Sequence, residues 1–331
     1  MHRPTVLEWV RSREPIWNLP RQHVDGLATR FPGVRFVSPA DRDEATRELA
    51  HADVVLGWAV RPEDLGLARR LRWIHLTAAG VGPQLFPAMI ASEVVLTNSR
   101  GLHAVSMAEH ALGVILMFAR KLHLARDVQR ERRWTQAELV TGAPEFGMLP
   151  GCTLGLVGLG AIGTAIAERA RAFGMKVLAV RRRPGLCAGA AVDAEWGRER
   201  LPELLERSDF VVLCAPQTAE TSGMIGAAEL ARMKRGAVLI NIGRGALVDE
   251  PALIEALRAG RIAGAGLDVM AEEPLPESSP LWSMPQVIVT PHISGMGPRY
   301  WERAMELFAA NLERWLAGAP LENVVDKQAG Y

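Results

Sequence analysis

The sequence predicts an α/β protein of two domains, each built on a parallel sheet. Its 331 residues suit two domains at about 100–200 residues each. Short Val/Ile/Leu-rich runs alternate with Ala/Arg/Glu-rich stretches along most of the chain, the rhythm of strands joined by helices. Those apolar runs do not alternate with polar residues, which marks strands covered on both faces.

In residues 1–100, candidate strands lie at 5–10, 34–37, 53–57, 73–77 and 94–97, and stretches such as 41–50 suit helices. After the hinge-like Asn98-Ser99-Arg100-Gly101, residues 104–122 read as one long helix, apolar on nearly every side. Such a helix is buried in its own domain or against another subunit, so a homodimer through 104–122 is expected. Residues 126–150 are polar and mixed, include Thr141-Gly142-Ala143-Pro144, and read as an irregular linker.

From Cys152 the rhythm is clearer, with strands at 153–157, 176–180, 210–214, 237–241, 262–268 and 287–290. A helix at 162–173 joins the first two. Another, before 262, has Asp249 as its N-cap, Pro251 in its first turn and Gly260 past its end. The last helix, near 300–317, sets Trp301, Ala304, Phe308, Leu312 and Trp315 on one stripe.

Composition narrows the function. Apolar residues at 49% and charged residues at 23% are the mix of a globular protein. A formal net charge of +1 sets aside a nucleic-acid partner, which would ask for a strongly basic domain. Lys121, Lys176, Lys234 and Lys327 are the only lysines among 38 basic residues, which leaves 34 arginines. Cys152, Cys187 and Cys214 are odd in number, with no Cys-x-x-Cys and no Cys/His group at zinc spacing, so neither a disulfide framework nor a metal is expected. The uncharged apolar run 111–119 is far short of the roughly 20 residues of a membrane span. The first residues carry Arg3, Glu8, Arg11, Arg13 and Glu14 with no apolar signal core, so no membrane partner and a cytoplasmic location are expected.

Gly158-Leu159-Gly160-Ala161-Ile162-Gly163 is a Gly-x-Gly-x-x-Gly sequence. Alone it is a weak signal, but here it follows one candidate strand, opens a helix and leads to a second strand. Its glycines permit a tight turn, close approach to a pyrophosphate and close helix–strand packing, with the helix N-terminus facing the phosphates. At the end of the second strand stand Arg181, Arg182 and Arg183, where a carboxylate would select the 2′-hydroxyl of NAD. Guanidinium groups suit a 2′-phosphate instead, so NADPH is expected over NADH.

Three further segments stand at later strand ends, where open α/β sheets hold ligands. They are Asn241-Ile242-Gly243-Arg244-Gly245, Leu267-Asp268-Val269-Met270-Ala271-Glu272-Glu273-Pro274 and Thr290-Pro291-His292-Ile293-Ser294-Gly295. With the glycine loop and the earlier Ala108-Glu109-His110, this order resembles the D-isomer-specific 2-hydroxyacid dehydrogenase family over nearly the whole chain. The arginine run and the ending Asn323-Val324-Val325-Asp326, then Gly330-Tyr331, look most like its glyoxylate/hydroxypyruvate reductases.

The resemblance implies two Rossmann-like or flavodoxin-like domains. The substrate-binding domain is discontinuous, residues 1–100 with 293–331, and the nucleotide-binding domain is 101–292. Arg244 is implied to hold the substrate's carboxylate and polarise its ketone, a task for a planar cationic fork. His292 is implied to be the acid/base, which suits a side chain with an unperturbed pKa of about 6.5. Glu273 is implied to orient that ring and stabilise its charged form. Cofactor contacts are implied at Gly158, Gly160, Ala161, Ile162, Gly163, Arg181, Arg182, Arg183, Ala215, Pro216, Ile242, Gly243, Gly295 and Asp268, the last accepting from the nicotinamide carboxamide.

Thr77-Ala78-Ala79-Gly80-Val81-Gly82 looks like the family loop whose amides meet the substrate carboxylate, through Ala79, Gly80 and Val81. Trp58 is a candidate wall of the substrate pocket. His75, His103, His110 and His123 carry no site motif and read as structural. Cys214 reads as a small buried apolar residue. Met270 stands where the family often has an aromatic residue. The reaction implied is reduction of a small 2-keto acid, glyoxylate or hydroxypyruvate, by NADPH to the D-2-hydroxy acid. Two alternatives stay open: a bulkier keto acid such as phenylpyruvate, and a nucleotide-sensing corepressor or scaffold on the same fold.

Overall fold

The computed structural model describes residues 3–12, 15–142, 145–185 and 191–330. Arg13, Glu14, Ala143, Pro144, Cys187 and Tyr331, named above, lie outside them. The chain forms two compact units, Met1–Leu102 with Gly297–Tyr331, and His103–Met296.

In the first unit, β1 (Thr5–Trp9), β2 (Arg35–Val37), β3 (Val54–Gly57), β4 (Trp73–Leu76) and β5 (Val95–Asn98) form a parallel sheet in the order β2-β1-β3-β4-β5. Each falls on a candidate strand. One face is covered by helix Tyr300–Leu316, whose apolar stripe buries Ala304, Met305, Phe308 and Leu312. Phe308 stacks on Trp73 with ring centroids 5.3 Å apart. Burial of a side chain such as Phe308 contributes about 1.5–3 kcal/mol. The other face packs Leu7, Leu49, Val55, Ile74, Leu76 and Met89. Helix Arg42–Leu49 there begins at Asp41, whose side chain accepts from the Glu44 amide.

In the second unit, β6 (Thr153–Val157), β7 (Lys176–Val180), β8 (Ala194–Trp196), β9 (Phe210–Leu213), β10 (Val238–Asn241), β11 (Gly264–Leu267) and β12 (Val287–Val289) form a parallel sheet in the order β12-β11-β10-β9-β6-β7-β8. The chain lays β7 and β8 to one side of β6 and then β9 to β12 to the other. The order reverses between β6 and β9, the place where such sheets bind ligands. β8 is absent from the sequence reading. It is a three-residue edge strand, Ala194-Glu195-Trp196, too short to show a period.

Two expectations are corrected here. The long helix ends at Ala119, not Leu122, because Lys121 takes a left-handed φ of 51° and a new helix, Leu122–Arg130, begins. The expected linker 126–150 holds the end of that helix and a further one, Gln136–Thr141. Lys121 Nζ donates to the carbonyls of Leu139 (2.5 Å) and Gly142 (2.7 Å), so a buried cation caps the end of helix Gln136–Thr141. That tie spans about 20 residues and leaves no local pattern.

Helix Ala104–Ala119 sinks against the sheet because β11 is small. A Cβ on Gly266 would lie 2.4 Å from Val114, and one on Gly264 would lie 2.6 Å from the Phe118 ring. Among the described residues, no helix is long and apolar enough to cross a membrane, and no group of three His, Cys, Asp or Glu could hold a metal.

Candidate active site

The chain leaves β6 at Gly158, whose φ of 107° is open to glycine and strained for other residues. Helix Ala161–Ala172 follows at once, with Gly160 as its N-cap. A Cβ on Gly163 would lie 2.3 Å from the Gly158 carbonyl, whereas one on Gly160 would meet nothing within 4 Å. The first and third glycines serve the turn and its packing; the second opens on space. The first amides of the helix, beginning at Ala161 and Ile162, have no acceptor within it and carry the positive end of its dipole. This cradle fits a pyrophosphate.

Cys214, Ala215 and Pro216 follow β9, across the reversal. The Cys214 amide donates to Val157 O (3.0 Å) and its thiol to Gly158 O (3.1 Å). Burial pushes that thiol up to about 12, so at neutral pH it stays protonated. A Cβ on Gly243 would lie 2.9 Å from Ala215 O. Gly158, Ala215 and Gly243 therefore meet at one end of the sheet. Ile242 is 1% exposed, so its side chain belongs to the core and only its backbone is left to face a ligand.

Arg181 follows β7, and its amide donates to Trp196 O (3.0 Å). Its guanidinium lies 3.7 Å from Glu195 Oε1, and both side chains are mostly buried. Glu195 also accepts from the Gly185 amide (2.9 Å). Arg182 and Arg183 are exposed. Asp193, the first acidic residue after the arginines, is occupied by the Val177 amide and by Arg171, each at 2.7 Å. The carboxylate beside Arg181 is thus Glu195, which the sequence reading passes over because β8 is invisible there.

Beyond β10, Asn241 folds the turn that carries Arg244. Its Oδ1 accepts from the Gly243 amide (3.1 Å) and its Nδ2 donates to Arg244 O (2.9 Å). Arg244 is half-buried, and its Nη1 donates to Gly243 O (2.7 Å). Gly245 presses on the next loop: a Cβ there would lie 1.8 Å from Met270 O. In that loop the Met270 amide donates to Glu273 Oε1 (3.0 Å), and Glu273 Oε2 accepts from His292 Nδ1 (2.8 Å). Glu273, not its neighbour Glu272, reaches the histidine. The Arg244 turn, Glu273 and His292 are one continuous arrangement.

His292 has a left-handed φ of 54°, uncommon for a residue with a side chain. Its amide donates to Asp268 O (2.9 Å) and Thr290 O (3.0 Å). Asp268 is buried, and its carboxylate accepts from Thr290 Oγ1 (2.6 Å), the Ile293 amide (2.9 Å) and the Ser294 amide (2.9 Å). Burial alone would raise its pKa, but the hydrogen bonds from Ser294, Thr290 and Ile293 outweigh that and hold the carboxyl below its usual range. Asp268 therefore organises the loop that carries His292.

Helix Ala104–Ala119 grips the same loop. His103 Nδ1 donates to Gly295 O (2.8 Å), as does Ser106 Oγ (3.1 Å). His110 Nε2 lies 3.2 Å from Thr290 Oγ1 and 3.9 Å from Asp268, and burial holds its imidazole below the ordinary value although Asp268 opposes this. Thr290 belongs to the Thr290-Pro291-His292 segment, but its tie to Asp268 is not visible there. His103 and His110 read as structural in the sequence, and Ser106 carries no signal; for these three no spacing points to His292 beyond the Ala108-Glu109-His110 segment.

In the first unit, Ala78, Ala79 and Gly80 are half-buried after β4, while Val81 is 3% exposed and lies in the core. Trp58 is half-buried after β3, and its amide donates to Trp9 O (2.9 Å). His75 is fully buried; its Nδ1 pairs with Thr97 Oγ1 (2.8 Å), and burial pushes its pKa down to about 3. His123 Nδ1 donates to Met117 O (3.1 Å).

Residues 112–294 match the family model described as D-isomer specific 2-hydroxyacid dehydrogenase, NAD binding domain. The chain is 34% identical over 317 residues to glyoxylate/hydroxypyruvate reductase B of Serratia proteamaculans, covering 94% of this chain and 96% of that protein. It is 34% identical over 300 residues to D-3-phosphoglycerate dehydrogenase of Mycobacterium bovis; this covers 90% of the chain but 55% of that relative, about half its length. Among solved structures, NADPH-dependent glyoxylate/hydroxypyruvate reductase from Sinorhizobium meliloti, in complex with NADP and sulfate, has a TM-score of 0.80. Its sequence identity is 28%, with 99% of this chain and 100% of that chain covered.

Proposed function

The chain belongs to the D-isomer specific 2-hydroxyacid dehydrogenase family, and from that premise we propose that it reduces small 2-keto acids, glyoxylate to glycolate or hydroxypyruvate to D-glycerate, with NADPH preferred over NADH. The observation that carries the reading is the His292–Glu273 pair at 2.8 Å, on a loop held by Asp268.

The nicotinamide cofactor, when bound, supplies the hydride. Gly158, Gly160 and Gly163, with the amides of Ala161 and Ile162, would hold its pyrophosphate. Ala215, Pro216, Gly243, the backbone of Ile242, Asp268 and Gly295 are its further proposed contacts. Arg181, Arg182 and Arg183 would meet a 2′-phosphate, Arg181 being oriented by Glu195.

Arg244 would bind the substrate's carboxylate and draw charge towards its carbonyl oxygen. Glu273 accepts from Nδ1, which leaves Nε2 of His292 to deliver the proton to that oxygen. Ala79, Gly80 and Val81 are proposed to meet the carboxylate through their backbone, and Trp58 to contact the substrate's side group. The second unit is thus read as nucleotide-binding and the first as substrate-binding. A homodimer through residues 104–122 and a cytoplasmic location complete the reading.

The test is loss of NADPH or NADH absorbance across glyoxylate, hydroxypyruvate and phenylpyruvate. The reading expects the two small acids with NADPH to give the highest kcat/KM. Preference for phenylpyruvate would move the substrate class. No turnover with any acid would favour the corepressor or scaffold.

A further inference from the structure

The loop at 77–82 is fastened by its carbonyls. Ser99 Oγ donates to Leu76 O (3.1 Å), the Tyr300 hydroxyl to Thr77 O, the Ser99 amide to Ala78 O (3.1 Å) and Asn98 Nδ2 to Ala79 O (2.7 Å). Four consecutive carbonyls are fixed by the end of β5 and the first residue of helix Tyr300–Leu316. All these residues lie in the first unit.

In a trans peptide, the carbonyl of one residue and the N–H of the next lie in one plane and point in opposite directions. Fixing the carbonyls of Thr77, Ala78 and Ala79 therefore fixes the amides of Ala78, Ala79 and Gly80. Each amide is turned away from the group that holds its plane. Among the described residues, none of these three amides donates a hydrogen bond to the protein. Tyr300 is itself held edge-on by Trp17 and Trp301, with ring centroids 6.0 and 5.0 Å away. Burial pushes its phenol up to about 12, so at neutral pH the hydroxyl remains a donor.

We propose that Asn98 and Tyr300 are positioning residues for the substrate: they set the peptide planes of the loop so that its amides face the carboxylate of a 2-keto acid. This rests on the reading of residues 79–81 as substrate-binding. Donors fixed before the ligand arrives need no reordering when it binds, and that saving is realised as affinity. Neither side chain touches the substrate in this account.

The test uses the full chain with Tyr300→Phe and, separately, Asn98→Ala. KM and kcat for glyoxylate are measured beside the Kd of NADPH and the thermal midpoint. Oxalate, a dicarboxylate that cannot be reduced, is titrated calorimetrically. Each variant is expected to raise KM and the oxalate Kd by about tenfold, the size of one ordinary hydrogen bond. The kcat should stay within about twofold, and NADPH affinity should not move. An unchanged KM and oxalate Kd, with or without a lower midpoint, overturns the proposal. Ala79→Asp separates the two levels. If it also leaves oxalate binding unchanged, the loop does not hold the carboxylate and the underlying reading fails. If it weakens oxalate while the other two variants are silent, only the positioning role fails.

Discussion

Glu273 Oε2 accepts from His292 Nδ1 at 2.8 Å, while its other oxygen accepts from the Met270 amide at 3.0 Å. The carboxylate is anchored at one end to backbone and at the other to the ring. That fixes which imidazole nitrogen is occupied, and in the proposed reaction the other, Nε2, exchanges the proton.

His292→Ala is accordingly expected to lower kcat by about 10²–10⁴ with NADPH affinity unchanged. Glu273→Gln keeps the size but not the acceptor character of both oxygens, and its kcat should fall in the same direction. Steady-state kcat with cofactor Kd measured separately decides this; an unchanged kcat in either variant would remove that residue from the mechanism.

Asp268→Asn places an amide group where the Ile293 and Ser294 amides already donate. A buried carboxylate with three donors becomes a group with donors facing donors. Urea unfolding should show a loss of about 1–3 kcal/mol, the cost of leaving a buried polar group unpaired. The kcat should fall as well, because the displaced loop carries His292. Lost stability with full kcat would show that Asp268 supports the fold alone.

Much of this was legible in the sequence, for physical reasons. Central parallel strands are short apolar runs, and the eleven candidates all became strands because burial on both faces leaves that pattern in composition. The glycine loop was legible because Gly158 and Gly163 answer local steric demands. What stayed hidden depends on partners distant in sequence. Glu195 acts through an edge strand of three residues. Lys121 breaks one helix and caps another through carbonyls about 20 residues away. His110 and His103 read as structural because the loop they grip lies about 180 residues on.

The Arg181 guanidinium lies 3.7 Å from Glu195, and in the proposed cofactor site a charge reversal at Arg181 should be strongly felt. Arg181→Asp would place a carboxylate against a 2′-phosphate and beside Glu195. The ratio of kcat/KM for NADPH over NADH is expected to fall by about tenfold or more, as for loss of a charge-assisted hydrogen bond. An unchanged ratio would place the cofactor preference elsewhere.

His75 gives a pH signature in the first unit. Its folded pKa of about 3 lies below the unfolded value of about 6.5, so the neutral form belongs to the folded state. Its contribution to stability is complete above about 6.5 and is lost as pH falls towards about 3. The slope is at most about 1.4 kcal/mol per pH unit for one proton. Unfolding free energies measured downward from pH 6.5 should fall more steeply in the wild type than in His75→Gln; parallel curves would contradict the buried neutral ring.

The most direct measurement of the central claim is a stoichiometric one. Wild-type protein is incubated with hydroxypyruvate and NADPH, and the oxidised cofactor is counted against each enantiomer of glycerate. One D-glycerate is expected for each NADPH consumed, with consumption lost in His292→Ala. L-glycerate as the product, or no NADPH consumed with any 2-keto acid, would contradict it.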